Sequence, residues 1–277
     1  MLKIDSHQHF WKFDPVRDAW IDESMAVIQR DFAPDDLKPI LDKNGIDGCV
    51  AVQVDQSEAD TASLLGIAND YEFVKGVVGW VDLRSPEIDS RLEYYSQFKK
   101  LKGFRHILQG EADRALMLTP VFMNGIKALK KYDFTYDILI YPDQLKYVPE
   151  FIKAFPDQKF IIDHIAKPDI KLHKIDDWAK DIKALKEFDN LYCKVSGMVT
   201  EADWNNWKLE DFTPYLDVVF ETFGTKRLMF GSDWPVCNVA GGYDKVVEIV
   251  KNYTSKLSSD EQADIWGNTA INFYKLA

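Results

Sequence analysis

Eight short runs rich in valine, isoleucine and aromatic residues recur along the 277-residue chain, at 2–7, 48–54, 74–81, 102–106, 135–140, 159–164, 191–196 and 227–231. Longer amphipathic stretches separate them. A strand followed by a helix, repeated in this way, makes parallel neighbours, because a parallel pair needs a crossover. Eight such units match a closed barrel, which needs ~250 residues and leaves no strand edge unpaired. The expected class is therefore α/β, a single (β/α)8 TIM barrel, with residues 1–277 forming one domain. An open doubly wound sheet is the alternative, but no G-x-G-x-x-G follows the first run. Helix punctuation agrees with the alternation. Ser57-Glu58-Ala59-Asp60 has the form of a capping box, and Ser85-Pro86 and Thr119-Pro120 read as N-cap followed by proline. Gly45 and Gly224 stand where helices must stop before the next strand.

In such a barrel the C-terminal strand ends carry the site. Four of the five histidines, His7, His9, His106 and His164, fall at those ends; His173 does not. Residues two apart on a strand share a face, so Asp5, His7 and His9 are expected together. Two imidazoles converging there can hold a divalent metal or a polar substrate. The last run ends Phe230-Gly231-Ser232-Asp233-Trp234-Pro235, and the proline forces the chain out of the strand. Asp233 is thereby offered at the same mouth, where a carboxylate can deprotonate water and pass the proton on; a turn aspartate is the plainer alternative. His164 closes the sixth run. Arg105 and His106 close the fourth, and Arg105 could bind a substrate carboxylate or polarise a carbonyl. Strict alternation lets only one of the two point inward, but a strand that is ending lets both reach the site, and that is the expectation here. Trp11, Trp80, Tyr136 and Lys194 are the expected substrate-binding neighbours, with Gln53, Tyr141, Ser196 and Trp234 as weaker candidates. Packing explains such residues as simply. The stretch 9–32, with Phe10, Trp11 and Trp20, is expected to lie over the mouth.

The chain carries 34 basic and 45 acidic residues, a net charge of −11. That disfavours nucleic acid and anionic membranes as partners and leaves a small molecule. The three cysteines, Cys49, Cys193 and Cys237, lack paired spacing, so neither a disulfide framework nor a cysteine zinc site is expected. The opening MLKIDSHQHF lacks the charged and apolar pattern of a leader, and the expected compartment is the cytoplasm. A homo-oligomer is compatible with the sequence but not specified by it.

Taken in order, Asp5-Ser6-His7-Gln8-His9-Phe10-Trp11, Gly103-Phe104-Arg105-His106, Asp163-His164-Ile165-Ala166-Lys167-Pro168, Lys194-Val195-Ser196-Gly197 and Gly231-Ser232-Asp233-Trp234-Pro235 resemble the amidohydrolase superfamily. Within it they resemble the branch of sugar-acid lactonases, the L-fuconolactonase- and L-rhamnonolactonase-like enzymes with the pyrone-dicarboxylate lactonases. The resemblance implies hydrolysis of a small lactone by water that Asp233 activates. His7, His9 and His164 would line the site, and Arg105 or His106 would hold the substrate or polarise its carbonyl. Binuclear members use a bridging lysine or glutamate on strand four and a histidine on strand five. This chain has Arg105-His106 and no histidine at those places, so a two-metal centre is not expected. One zinc on His7, His9 and Asp233 is one expectation, and metal-independent action is the other. The rival activities are a metal-dependent decarboxylase of the same superfamily, using His7, His9, His164 and Asp233, and a non-catalytic binding barrel.

Overall fold

The computed structural model describes residues 2–276. Eight strands form: β1 (Ile4–Gln8), β2 (Gly48–Val52), β3 (Val74–Gly79), β4 (Leu101–His106), β5 (Thr135–Ile138), β6 (Phe160–Ile162), β7 (Leu191–Val195) and β8 (Leu228–Phe230). They pair in parallel and in chain order, so the expected (β/α)8 barrel is the fold. One helix follows each strand: α1 (Pro34–Asn44), α2 (Glu58–Asp70), α3 (Ile88–Tyr95), α4 (Pro120–Lys131), α5 (Val148–Lys153), α6 (Asp176–Lys183), α7 (Leu209–Phe223) and α8 (Tyr243–Thr254). Two short helices end the chain, α9 (Ser259–Ala263) and α10 (Thr269–Tyr274).

Local chemistry sets most boundaries. Ser57 Oγ accepts from the Asp60 N–H at 3.2 Å and starts α2, and Gly45, at φ +66°, supplies the left-handed residue that stops α1. Two expected caps differ. Ser85 Oγ takes the Glu87 N–H, which makes a turn, and α3 begins only at Ile88. Thr119 precedes Pro120 as expected, but its hydroxyl donates back to Leu116 O instead of capping.

Closure occurs just beyond β8. The Asp233 N–H donates to His7 O at 2.8 Å, the His9 N–H donates to Trp234 O at 2.7 Å, and Gln8 bridges Trp234 in parallel. The two sequence segments richest in candidate residues are thus joined by backbone. Ile4, Val50, Val52, Val78, Ile161 and Met229 form an inner apolar cluster with Phe273 and Tyr274, so α10 plugs the base of the barrel. At the top, Trp11 and Phe32 exchange backbone hydrogen bonds and close the long loop between them. Their rings stack edge-on, and Phe32 does the same to Trp234. The loop is therefore pinned beside the β8 turn.

Candidate active site

The mouth is built by strand alternation and two departures from it. On β1 the register to β2 slips between Asp5 and Gln8. That slip separates Asp5 from the histidines: its Oδ1 accepts from the backbone N–H groups of His7 (3.1 Å) and Ser232 (2.9 Å), and Tyr243 of α8 stands beside it. Asp5 does not share the face of His7 and His9, contrary to simple alternation; it braces the β1–β8 seam. His7 points into the barrel. His9, past the strand end, turns Nδ1 to Val52 O at 2.8 Å. A carbonyl only accepts, so Nδ1 carries a proton there and Nε2 is turned to the mouth.

The second departure follows β6. Asp163 continues the inward alternation, and His164 would then face outward. Instead His164, Ile165, Ala166 and Lys167 all adopt left-handed backbone, with φ of +55°, +48°, +59° and +51°. None is glycine, and this conformation costs roughly 1–2 kcal/mol per residue. It swings His164 into the mouth beside Asp163. Gly197 makes room, since a Cβ there would lie 2.4 Å from His164 Nδ1. Ser196 Oγ meets that nitrogen at 2.9 Å.

Four side chains converge. His7 Nε2 is 3.2 Å from His9 Nε2. Asp233 Oδ1 is 3.3 Å from His9 Nε2 and 3.8 Å from both His7 Nε2 and His164 Nε2. Asp233 itself sits at φ +57°. Burial pushes its carboxyl up, but the adjacent His164 and His9 outweigh that and hold it below the ordinary carboxylate value. Burial drives His7 and His164 well below the usual imidazole range, so both are neutral.

Beneath His7 lies a buried ionic column. Asp163 Oδ1 is 3.3 Å from His7 Nδ1 and 3.0 Å from Lys194 Nζ. Lys194 also donates to Asp137 Oδ2 at 2.5 Å, and Tyr274 of α10 donates to that same oxygen at 2.8 Å. Arg105 enters from β4: Nη1 donates to Asp163 Oδ2 (3.1 Å) and stands 3.3 Å from His7 Nε2, while Nη2 donates to Gln53 O (2.5 Å) and Oε1 (3.0 Å). His7 Nδ1 lies between Lys194 Nζ at 3.1 Å and Asp163 Oδ1 at 3.3 Å, and its Nε2 faces Arg105, His9 and Asp233.

Several expected neighbours stand elsewhere. β4 stays regular through His106, so Arg105 points in and His106 out, and the two do not reach the site together. His106 Nε2 donates to Glu111 Oε1 at 2.6 Å, Nδ1 accepts from Trp80 Nε1 at 3.4 Å, and its ring lies against Phe122. Trp80 is therefore the partner of His106, not of His7. Tyr136 faces the helices, among Phe122, Phe151 and Phe160, because the inward place on β5 belongs to Asp137. Lys194 faces the barrel axis but lies one layer too deep to touch a substrate, with no exposed surface. Trp11 packs on Trp20 and Phe32, donates Nε1 to Arg30 O, and walls a cavity of about 400 Å³ shared with Phe10, Arg17 and Asp60. Two residues at the rim went unread in the sequence. Lys167 and Glu201 pair at 3.4 Å, and the charge of Lys167 acts on both His164 and Asp233.

A family model described as amidohydrolase matches residues 4–276. The L-fucono-1,5-lactonase of Burkholderia multivorans is 38% identical over 286 residues, covering 99% of this chain and 96% of that protein. Another L-fucono-1,5-lactonase, from Burkholderia ambifaria, is 34% identical with coverage of 99% and 96%. The crystal structure of an amidohydrolase from Burkholderia multivorans with bound zinc matches with a TM-score of 0.95, at 38% identity and over 100% of both chains.

Proposed function

Because the chain belongs to the amidohydrolase family, we propose that it hydrolyses a lactone of a sugar acid, of the L-fucono-1,5-lactone kind. The observation that carries this reading is the convergence of one ionised carboxylate, Asp233, with three imidazoles at the mouth. Oδ1 makes all the contacts to His7, His9 and His164. Among the described residues nothing donates to Oδ2, which is free to accept a proton from water. The freed hydroxide equivalent attacks the lactone carbonyl carbon. His164, held at Nδ1 by Ser196, has Nε2 3.8 Å from Asp233 Oδ1 and is placed to donate to the developing oxyanion, with Lys167 as the nearby charge. Collapse breaks the bond to the ring oxygen, and Asp233 returns the proton to it, giving the open hydroxy acid. Arg105 and Lys194 are positioning residues: Nη1 and Nη2 of Arg105 and Nζ of Lys194 are turned to Asp163, Gln53 and Asp137, and they fix His7.

His7, His9 and Asp233 also suit a single metal ion. Donors about 2.0–2.1 Å from a tetrahedral zinc lie roughly 3.3 Å apart, close to the 3.2 and 3.3 Å of His7–His9 and His9–Asp233 and somewhat under the 3.8 Å of His7–Asp233; His7, His164 and Asp233 form a second, wider set that could hold the ion. Such an ion, when bound, supplies Lewis-acid polarisation of the oxygen it meets. Elemental analysis of the purified protein is expected to find zinc in the wild type and little in His9→Ala; equal content in both would remove these ligands from consideration.

The test of the reaction is acid release from L-fucono-1,5-lactone. Asp233→Asn is expected to lower kcat by about 10²–10⁴-fold, the usual worth of general-base catalysis. Near-normal turnover would exclude Asp233 as the base.

A further inference from the structure

The base of the barrel holds a second feature. A cavity of about 210 Å³ opens between the N-terminal ends of β4, β5 and β6 and the C-terminal turn of α10. Lys99, Lys102, Lys130, Lys159 and Lys275 line it, against only two carboxylates, Asp133 and Asp157. Asp133 is already paired with Lys275. In a chain of net charge −11, this is a local reversal of sign, and it lies at the end of the barrel opposite His7.

Part of the arrangement is structural. Lys102 Nζ donates to Lys275 O at 3.1 Å and Lys159 Nζ to Asn272 O at 3.3 Å, which satisfies carbonyls at the end of α10. Lys130 donates to Asp157 O at 2.8 Å. Each bond uses one of three ammonium protons, and capping one helix end does not need several lysines converging on one space. Lys102 and Lys159 are half-buried. Burial first, and then the neighbouring lysines, weaken their hold on the proton. A compact anion in the cavity would relieve both effects.

We propose that this basal cavity binds a phosphate group, held by Lys102 and Lys159 with Lys130 and Lys275 at its edge. Lysines act on phosphate as point charges and need no planar fork. The volume also suits a small tetrahedral oxyanion with a few waters, a water occupying roughly 30 Å³. The site is separate from the catalytic mouth and does not depend on the lactonase reading.

Calorimetric titration of the full chain at fixed ionic strength tests it, with inorganic phosphate in one arm and glycerol phosphate in the other. Saturable binding is expected in wild type. In K102M/K159M, which keeps the apolar stems, affinity should fall at least about tenfold, while lactone hydrolysis persists. Asp233→Asn should bind as wild type does. Tighter binding of glycerol phosphate identifies a phosphorylated metabolite as ligand; equal binding identifies the free ion. No saturable binding, unchanged affinity in K102M/K159M, or loss in Asp233→Asn would overturn the proposal. Should the double variant not fold, crystals soaked in phosphate decide: density bonded to Lys102 and Lys159 Nζ supports the site, and density confined to the mouth refutes it.

Discussion

Lys194 is the cation of a buried ionic group. It separates Asp137 from Asp163, and all three are wholly buried. Deleting one member of a buried ionic group leaves the rest uncompensated and costs about 3–5 kcal/mol. Lys194→Met should therefore lose that much stability in urea unfolding, and adding Asp137→Asn should recover part of it; full additivity of the two losses would contradict the shared network. His106 gives a prediction in pH. Burial lowers its pKa in the folded protein despite the adjoining Glu111, so below the ordinary value of ~6.5 the unfolded chain binds the proton more readily. Stability should fall as pH drops through that value, and His106→Gln should flatten this limb in melting curves recorded from neutral to mildly acid pH. Strict alternation lets only one of Arg105 and His106 face the interior, and it holds here because β4 does not fray: it pairs with β5 as far as His106. Tyr136 could have been excluded in the same way from Asp137. The depth of Lys194 could not, because sequence gives the face of a side chain but not its layer.

At the level of the element, the turn 164–167 is the feature least visible beforehand. Left-handed backbone is announced by glycine or asparagine, and here it is built from His164, Ile165, Ala166 and Lys167. The strain is sustained by what surrounds it, including the Trp178 Nε1–H donated to Ile165 O at 2.9 Å. Gly197, just past the end of β7, is the matching partner. Gly197→Ala would combine a Cβ 2.4 Å from His164 Nδ1 with an unfavourable φ of +62°. It should cost at least ~1 kcal/mol and displace His164 from Ser196, reducing kcat more than thermal stability suggests. A variant with wild-type kcat would show that His164 does not need its observed place. The eight strands were legible because periodicity and turn residues repeat with every unit. The β1 slip that parts Asp5 from His7 was not, because a bulge leaves no mark in the hydrophobic pattern.

For the molecule as a whole, the ionic column joins distant parts of the chain. Tyr274 reaches Asp137, Asp137 reaches Lys194, and Lys194 with Asp163 supports His7. Tyr274→Phe should lower stability by about 1–3 kcal/mol, the usual result of leaving a buried acceptor short of a donor, with little change in KM because no substrate meets it. A large KM effect would mean that the base of the barrel shapes the mouth directly.

The same column has a consequence for synthesis. Tyr274 is made long after His7, and β1 gains its second strand neighbour only when β8 arrives. A nascent chain still held in the ribosomal tunnel would carry its imidazoles unsupported, so hydrolysis should begin only after residue 274 has emerged.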